Sequence, residues 1–134
     1  MSHIKLMIDE NLWSVTDLLN KLSGKITAST TKALGFKSGT ADNVLVRATN
    51  TNGHMLLTLD KKSITRKTYP PCQHGGIILF LPRQKSDETK AGIIRKFLLS
   101  GYRRHAIHGV THLRADGADI YTHEDPAVPI SITF

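Results

Sequence analysis

Three short runs of mostly apolar residues limit how this chain can fold. The runs HIKLMID, HMLLTLD and GIILFLP occupy residues 3–9, 54–60 and 76–82. A strand that is apolar on both faces is typical of a central parallel strand covered by helices on each side. The runs therefore predict buried strands of a mostly parallel sheet.

Helical periodicity begins directly after the first run. From Asn11, apolar residues recur at the spacing of one helix face, and Ser23-Gly24 closes this helix. The residues of that face are Leu12, Val15, Leu18, Leu19 and Leu22. The β-branched segment KITASTTKALGF at 25–36 predicts a further short strand. The chain is thus expected to begin with a strand, a helix and a second strand.

Two more helices are predicted before residue 101. Ser38 or Thr40 can cap the second helix, whose first turn holds Asp42 and which ends at the turn sequence NTNG. Ser86 caps the third, with two acidic residues in its first turn. Strand and helix therefore alternate through the first hundred residues, which favours a parallel sheet with helices on both faces.

The last third of the chain has a different pattern. HGVTHLR and ADIYTH flank Asp116-Gly117, a strong hairpin signal, and the final ISITF predicts one more strand or a loose tail. With 134 residues, the chain is expected to form a single domain over 1–134. Its core would span about 4–100, with a C-terminal β-hairpin extension over about 105–134.

Charge and cysteine usage restrict the class of protein. Eighteen Lys and Arg against eleven Asp and Glu give a formal net charge of +7, which favours polyanionic partners such as nucleic acid or an acidic protein tail. The single cysteine, Cys72, excludes an internal disulfide. Without a secretion leader or a long apolar stretch, we expect a cytoplasmic protein that does not enter a membrane.

Carboxylates stand at the predicted ends of two strands. Asp9 ends the first run, Asp60 ends the second, and Asp42 lies in the first turn of the second helix. In a parallel α/β sheet, ligands bind beyond the carboxyl ends of the strands, near the point where the strand order reverses. Because a helix that leads into the next strand starts at that same edge, the three side chains are expected to converge there.

Converging carboxylates repel one another, and a divalent cation relieves this repulsion. Oxygen ligands suit Mg²⁺ or Mn²⁺, which can deprotonate a water molecule and polarise a phosphodiester. A metal-dependent hydrolytic site is therefore one interpretation. The other is structural: aspartate at a strand end often forms a turn or a helix cap, and Asp9 or Asn11 could cap the first helix.

Four segments, in this order, resemble the PIN-like ribonuclease domains related to VapC-type toxins. They are LMIDENL, GTADNVLVRAT, HMLLTLDKKS and GGIILFLP, and the first is similar to a compact subgroup whose chains open with an IDENL strand end. The resemblance covers about residues 4–100. It implies a three-layer α/β/α sandwich with a mostly parallel central sheet, an Mg²⁺- or Mn²⁺-dependent endoribonuclease, a neighbouring antitoxin protein and, in many members, a homodimer.

The resemblance also implies roles for individual residues. The three aspartates form its catalytic set, and the acidic neighbour of the first one joins them in binding metal. The implied metal ligands are Asp9, Glu10, Asp42 and Asp60. Thr58, in the Thr-x-Asp motif, would steady Asp60, and Asn11 is a supporting residue.

After Asp60 the sequence departs from the family pattern. Relatives commonly read Asp-x-Asp followed by an aromatic residue, whereas DKKS places Lys62 where the next carboxylate is expected and Ser63 where the aromatic would be. A lysine beside a metal site lowers cation affinity, or it contacts phosphate instead. The domain is therefore either an active nuclease with weaker metal binding or a catalytically degenerate module that binds RNA or protein.

Basic residues follow the second carboxylate run. Four lie in the loop after Asp60, and one follows the third strand: Lys61, Lys62, Arg66, Lys67 and Arg83. Together with Tyr69, the loop could position an RNA backbone by charge and stacking. The alternative is a solvated loop and an ordinary surface arginine.

Three other interpretations have weaker support. A receiver domain also ends its first strand on paired acids and carries a phosphoacceptor aspartate about fifty residues later, but the chain lacks the expected Pro-Gly loop and later lysine. A zinc site is disfavoured because the segment around its central histidines predicts a strand; the histidines are His105, His108, His112 and His123. Trp13 is expected to pack at the start of the first helix rather than to stack on a base.

Overall fold

The computed structural model of the chain describes residues 4–22, 24–59, 74–83, 85–122, 124–125 and 127–134. Within these residues, seven strands form one sheet in the order β2-β1-β3-β4-β5-β6-β7. The strands are β1 (Ile4–Ile8), β2 (Ile26–Thr30), β3 (Met55–Leu59), β4 (Ile77–Phe80), β5 (Val110–Leu113), β6 (Gly117–Tyr121) and β7 (Ile130–Thr133). The first five run parallel, β6 pairs antiparallel with β5, and β7 pairs antiparallel with β6. The predicted α/β class with a mostly parallel sheet is confirmed.

Helices lie between β1 and β2, between β2 and β3, and between β4 and β5. A 3₁₀ helix (Glu10–Val15) leads directly into α1 (Thr16–Leu22), α2 (Asp42–Asn52) precedes β3, and α3 (Asp87–Leu98) follows β4. In the part of the chain that the structure describes, none of these helices is long and apolar enough to cross a membrane.

The two faces of the sheet pack against different helices. Leu6 and Ile8 of β1 belong to the apolar cluster that contains α1 and α3, whereas Met7 belongs to the cluster that contains Leu45 and Val46 of α2. Successive strand residues point to opposite faces, so both faces of a central strand must be apolar. This alternation is the physical reason for the uninterrupted apolar runs.

Helix ends agree with the sequence in one case and differ in another. Ser86 caps α3 by accepting a hydrogen bond from the Thr89 N–H, as predicted. The prediction that Ser38 or Thr40 caps α2 is wrong, because Ala41 occupies the N-cap position without a side-chain hydrogen bond. The Ser38 hydroxyl donates instead to Glu10, and the Thr40 hydroxyl donates to the Lys37 carbonyl.

The predicted C-terminal hairpin is confirmed. β5 and β6 pair in antiparallel register, with Leu113 opposite Ala118, around the turn that contains Asp116. The terminal ISIT segment forms β7, which pairs with β6. The hairpin and β7 therefore extend the parallel sheet at the edge opposite β2.

Candidate functional site

The strand order reverses at β1. From β1 the chain passes to β2 on one side and then, through α2, to β3 on the other side. In sheets with the order 2-1-3-4-5, the carboxyl ends of β1 and β3 border a crevice in which ligands commonly bind. Asp9 directly follows β1, and Thr58 lies one residue before the end of β3. Both residues therefore stand at the edge where the fold favours a binding site.

Asp9 is fixed in place by hydrogen bonds from two directions. Its side chain accepts from the Thr58 hydroxyl at 2.7 Å through Oδ2 and from the Glu10 backbone N–H at 2.8 Å through Oδ1. Its own N–H donates to the Leu57 carbonyl at 3.0 Å, which extends the pairing of β1 with β3. Asp9 is only 4% exposed. Hydrogen bonds from neutral donors to a carboxylate hold it in one orientation, as a metal ligand or a catalytic group requires.

The Asp9 carboxylate also has the structural role that the sequence left open. Asp9 occupies the N-cap position of the 3₁₀ helix, and its side chain accepts from the first N–H of that helix. The Thr58 bond is different, because it joins residues 49 positions apart, one just beyond β1 and one within the parallel strand β3. Capping accounts for one carboxylate oxygen, and the contact across the strand-order reversal involves the other.

Glu10 connects the end of β1 with the loop before α2. Its carboxylate accepts from the Ser38 hydroxyl at 2.6 Å and from the Gly39 N–H at 3.3 Å. This loop leads into the first turn of α2, where Asp42 is partly exposed. The structure thus links Asp9, Glu10 and the segment that precedes Asp42, whereas the Asn11 side chain is exposed on the 3₁₀ helix.

The remaining predicted residues fall into two groups. Arg83 is exposed, three positions after β4. Asp60 and the basic loop residues lie outside the described residues: Lys61, Lys62, Arg66 and Lys67, with Tyr69. Among the residues that are described, no group of three or more His, Cys, Asp and Glu side chains could hold a metal ion. A complete carboxylate cluster would therefore have to include Asp60.

A pocket next to Glu10 was not predicted from the sequence. It has a volume of about 400 Å³ and is lined by Trp13, Lys32, Gly35, Phe36, Lys37 and Ser38. Trp13 packs against the core at the start of the first helical segment, as expected, but it also forms a wall of this pocket. In the sequence, Phe36 lies in a basic loop beside Gly35, but Trp13 precedes β2; the two rings come together only through the fold of the loop after β2.

These observations define a mostly parallel α/β sheet with a buried, hydrogen-bonded aspartate at its strand-order reversal. Comparison of the chain with protein-family models, with curated proteins and with solved structures finds no match.

Proposed function

We propose that this protein is a metal-dependent endoribonuclease of the PIN-like type, built as a three-layer α/β/α sandwich. The observation that carries the proposal is the buried Asp9 carboxylate, held by Thr58 at the carboxyl ends of β1 and β3. Asp60 follows Thr58 by two positions. A second carboxylate so close in sequence gives this edge the composition of a site for a hard cation.

The side chains proposed as ligands are chemically suited to Mg²⁺ or Mn²⁺. Carboxylate oxygens predominate, and these hard ligands bind such ions in preference to softer metals. Asp9, Glu10, Asp42 and Asp60 would hold the ion. When bound, the ion would supply a water of lowered pKa and polarise the scissile phosphodiester.

The protein's own residues would perform the remaining tasks. Thr58 orients the Asp9 carboxylate, and the Glu10 contact with Ser38 positions the loop before α2. The net charge of +7 attracts RNA, and Lys61, Lys62, Arg66, Lys67 and Arg83 would contact its phosphates. A toxin role with a cognate antitoxin, a homodimer and a cytoplasmic location belong to the same proposal and follow from the family that the motifs resemble.

The strand order favours one other candidate. The order 2-1-3-4-5 also occurs in receiver domains, which use the aspartate after β3 as a phosphoryl acceptor. In this chain that residue would be Asp60. Incubation with a small phosphoryl donor followed by mass spectrometry would detect the phosphorylated aspartate; a nuclease would not acquire the label.

The deciding experiment is an RNA cleavage assay with purified full-length protein, Mn²⁺ and a labelled single-stranded RNA. We expect cleavage that EDTA abolishes and that Asp9→Asn reduces by about 100-fold or more, because a loss of several kcal/mol of transition-state stabilisation has that effect on rate. The amide of the substituted side chain has one acceptor oxygen, so it can keep the Thr58 hydrogen bond or the Glu10 N–H bond but not both. The variant should therefore lose about 1–2 kcal/mol of stability and remain folded, which thermal unfolding checks.

Asp17→Asn is the matched control for this assay. Asp17 is exposed in the first turn of α1, and its replacement should leave cleavage unchanged. Equal cleavage by wild type and Asp9→Asn would refute the catalytic role of Asp9. If neither protein cuts RNA but both bind it, the degenerate binding module becomes the correct description.

A further inference from the structure

The pocket beside Glu10 combines aromatic walls with positive charge. Trp13 and Phe36 contribute aromatic rings, and Lys32 and Lys37 are exposed residues of the same lining. Its volume of about 400 Å³ lies within the range of about 300–1,000 Å³ that is usual for small-ligand pockets. An aromatic surface binds the face of a nucleobase, and ammonium groups bind the adjoining phosphates.

Both rings are anchored by the fold. The Trp13 indole N–H lies 3.0 Å from the Ile8 carbonyl and 3.3 Å from the Thr31 hydroxyl, and it donates to both. Trp13 also packs against the core cluster of α1 and α3, and Phe36 packs against the cluster of α2. A ring held in this way loses little conformational entropy when a planar ligand stacks on it.

The pocket adjoins the candidate catalytic edge. Ser38 belongs to the pocket lining and donates to Glu10, whose backbone N–H donates to Asp9. One nucleotide in the pocket would therefore bring a neighbouring phosphodiester toward the end of β1. From Ser38 in the pocket lining to the Asp9 carboxylate, the connection consists of two hydrogen bonds and the residue Glu10.

We propose that this pocket binds a single nucleobase of a single-stranded RNA, stacked on Trp13 and Phe36 with Lys32 and Lys37 at the adjacent phosphates. The inference rests on the proposed nuclease function and names its substrate-recognition site. Single-stranded RNA is the occupant that the chemistry favours, because its unstacked bases are available for stacking and each carries a neighbouring negative charge. An acidic peptide would match the lysines without using the aromatic walls.

Binding can be measured without cleavage, because Trp13 is the single tryptophan of the chain. The full-length protein is titrated in EDTA with a short single-stranded RNA while tryptophan fluorescence is recorded. We expect saturable quenching by the RNA and none by an abasic oligonucleotide with the same number of phosphates. N-acetyltryptophanamide titrated in parallel corrects for absorption by the RNA.

Variants test the two components of the pocket separately. Phe36→Ala removes one aromatic wall and should weaken binding by about tenfold, the loss expected for one stacked base. Lys32→Gln with Lys37→Gln should weaken binding and reduce its salt dependence, because two phosphate contacts are lost. Lys96→Gln, on an exposed position of α3, removes one positive charge elsewhere and should have little effect.

The outcomes separate this inference from the nuclease proposal. Saturable quenching by RNA without metal-dependent cleavage supports the pocket and refutes the nuclease. Cleavage that depends on Asp9, combined with no quenching or with equal binding of the abasic oligonucleotide, refutes the pocket alone. If Phe36→Ala does not fold, the abasic comparison and the lysine variant still decide, and quenching by an acidic peptide but not by RNA would overturn the proposal.

Discussion

The parallel part of the sheet and its antiparallel extension use carboxylates in different ways. At the carboxyl ends of the parallel strands, Asp9 lies just beyond β1 and accepts a hydrogen bond from Thr58, 49 positions along the chain. In the antiparallel extension, Asp119 lies within β6 and contacts Arg114, at the end of β5 in the same hairpin. Ser131 of β7 also donates to Asp119 at 2.8 Å. The first contact joins distant segments, whereas the second is largely local.

The Asp119 pair is a structural ion pair. The hydrogen bond from Arg114 holds the pKa of Asp119 below its ordinary value, the Ser131 hydroxyl acts in the same direction, and partial burial opposes them. The same hydrogen bond raises the pKa of Arg114. A carboxylate with a guanidinium beside it inside a hairpin stabilises that hairpin. The Asp9 carboxylate instead lies at the strand-order reversal, bonded to Thr58 of β3 and linked through Glu10 to the loop before α2, where ligands commonly bind in sheets of this order.

The largest expected loss of stability comes from a substitution at Gly117, where β6 and β7 approach each other closely. A Cβ added at Gly117 would overlap the Ile132 carbonyl oxygen and lie 2.8 Å from the Arg114 guanidinium. Gly117→Ala should therefore destabilise the protein by about 3 kcal/mol in urea unfolding, the cost of overpacking against backbone.

Gly92→Ala provides the opposite case. Gly92 lies within α3, and a Cβ there would meet nothing within 4 Å. Alanine should stabilise the helix by about 0.5–1 kcal/mol. Equal stability of the Gly117 variant and the wild type would contradict the described approach of β6 and β7.

The next prediction compares the stability effects of replacing two buried threonines, Thr58 in β3 and Thr111 in β5. Thr58 and Thr111 are both fully buried, but only Thr58 has a described hydrogen bond from its hydroxyl, and Oγ1 of Thr111 finds no partner among the described residues. Thr58→Val should cost about 1–3 kcal/mol, because the Asp9 carboxylate loses a donor. Thr111→Val should be neutral or slightly stabilising, since the buried hydroxyl that it removes donates to none of the described residues.

Urea unfolding of both variants measures this difference. Under the nuclease proposal, Thr58→Val should also lower cleavage more than its stability loss explains, because Asp9 is no longer held in one orientation. A Thr58→Val variant as stable as the wild type would show that the hydroxyl contact with Asp9 contributes no stability, and a destabilised Thr111→Val would contradict the description of the Thr111 hydroxyl.

The same distinction between local and distant contacts explains what the sequence could predict. The Ser86 cap and the Asp116-Gly117 hairpin depend on residues within a few positions of each other, and both predictions are confirmed. The apolar runs predicted the buried strands, because burial on both faces is a property of each strand alone. Strand order has no such local signal, because it depends on pairing between residues that are far apart in the sequence.

Failures of prediction arose where a distant residue competes with a local one. Ser38 was expected to cap α2, but its hydroxyl donates to Glu10, 28 positions earlier in the chain. The pocket also depends on a distant contact, because Trp13 follows β1 whereas Phe36 follows β2, and the sequence gives no local signal that they meet. The resemblance pairs Thr58 with Asp60, which lies outside the described residues, and the hydrogen bond from Thr58 to Asp9 has no signal in the sequence.

A smaller effect is expected from the ion pair of the extension. Asp119→Asn should destabilise the protein by about 1 kcal/mol, because the pair is partly solvated and Asn can still accept from Ser131. Since the pKa of Asp119 is lowered on folding, its contribution is present above the ordinary value of 3.8 and is lost as the pH falls through the folded-state value. Urea unfolding of wild type and variant should therefore converge at strongly acidic pH; a constant difference would contradict the ion pair.

The smallest expected effect is a pH dependence of stability that comes from His54. This residue lies just before β3, at the opposite end of the strand from Thr58. Burial, and then the positive charge of Lys5, lower the pKa of His54 below 6.5. The folded state thus resists protonation, so stability is present above pH 6.5 and is lost as the pH falls from there toward the folded-state pKa.

Urea unfolding at a series of pH values checks the His54 prediction. Wild type should lose more stability than His54→Gln between neutral and mildly acidic pH, and Lys5→Gln should reduce that loss only in part, because burial is the larger cause. An identical pH profile in His54→Gln would exclude His54 as the origin.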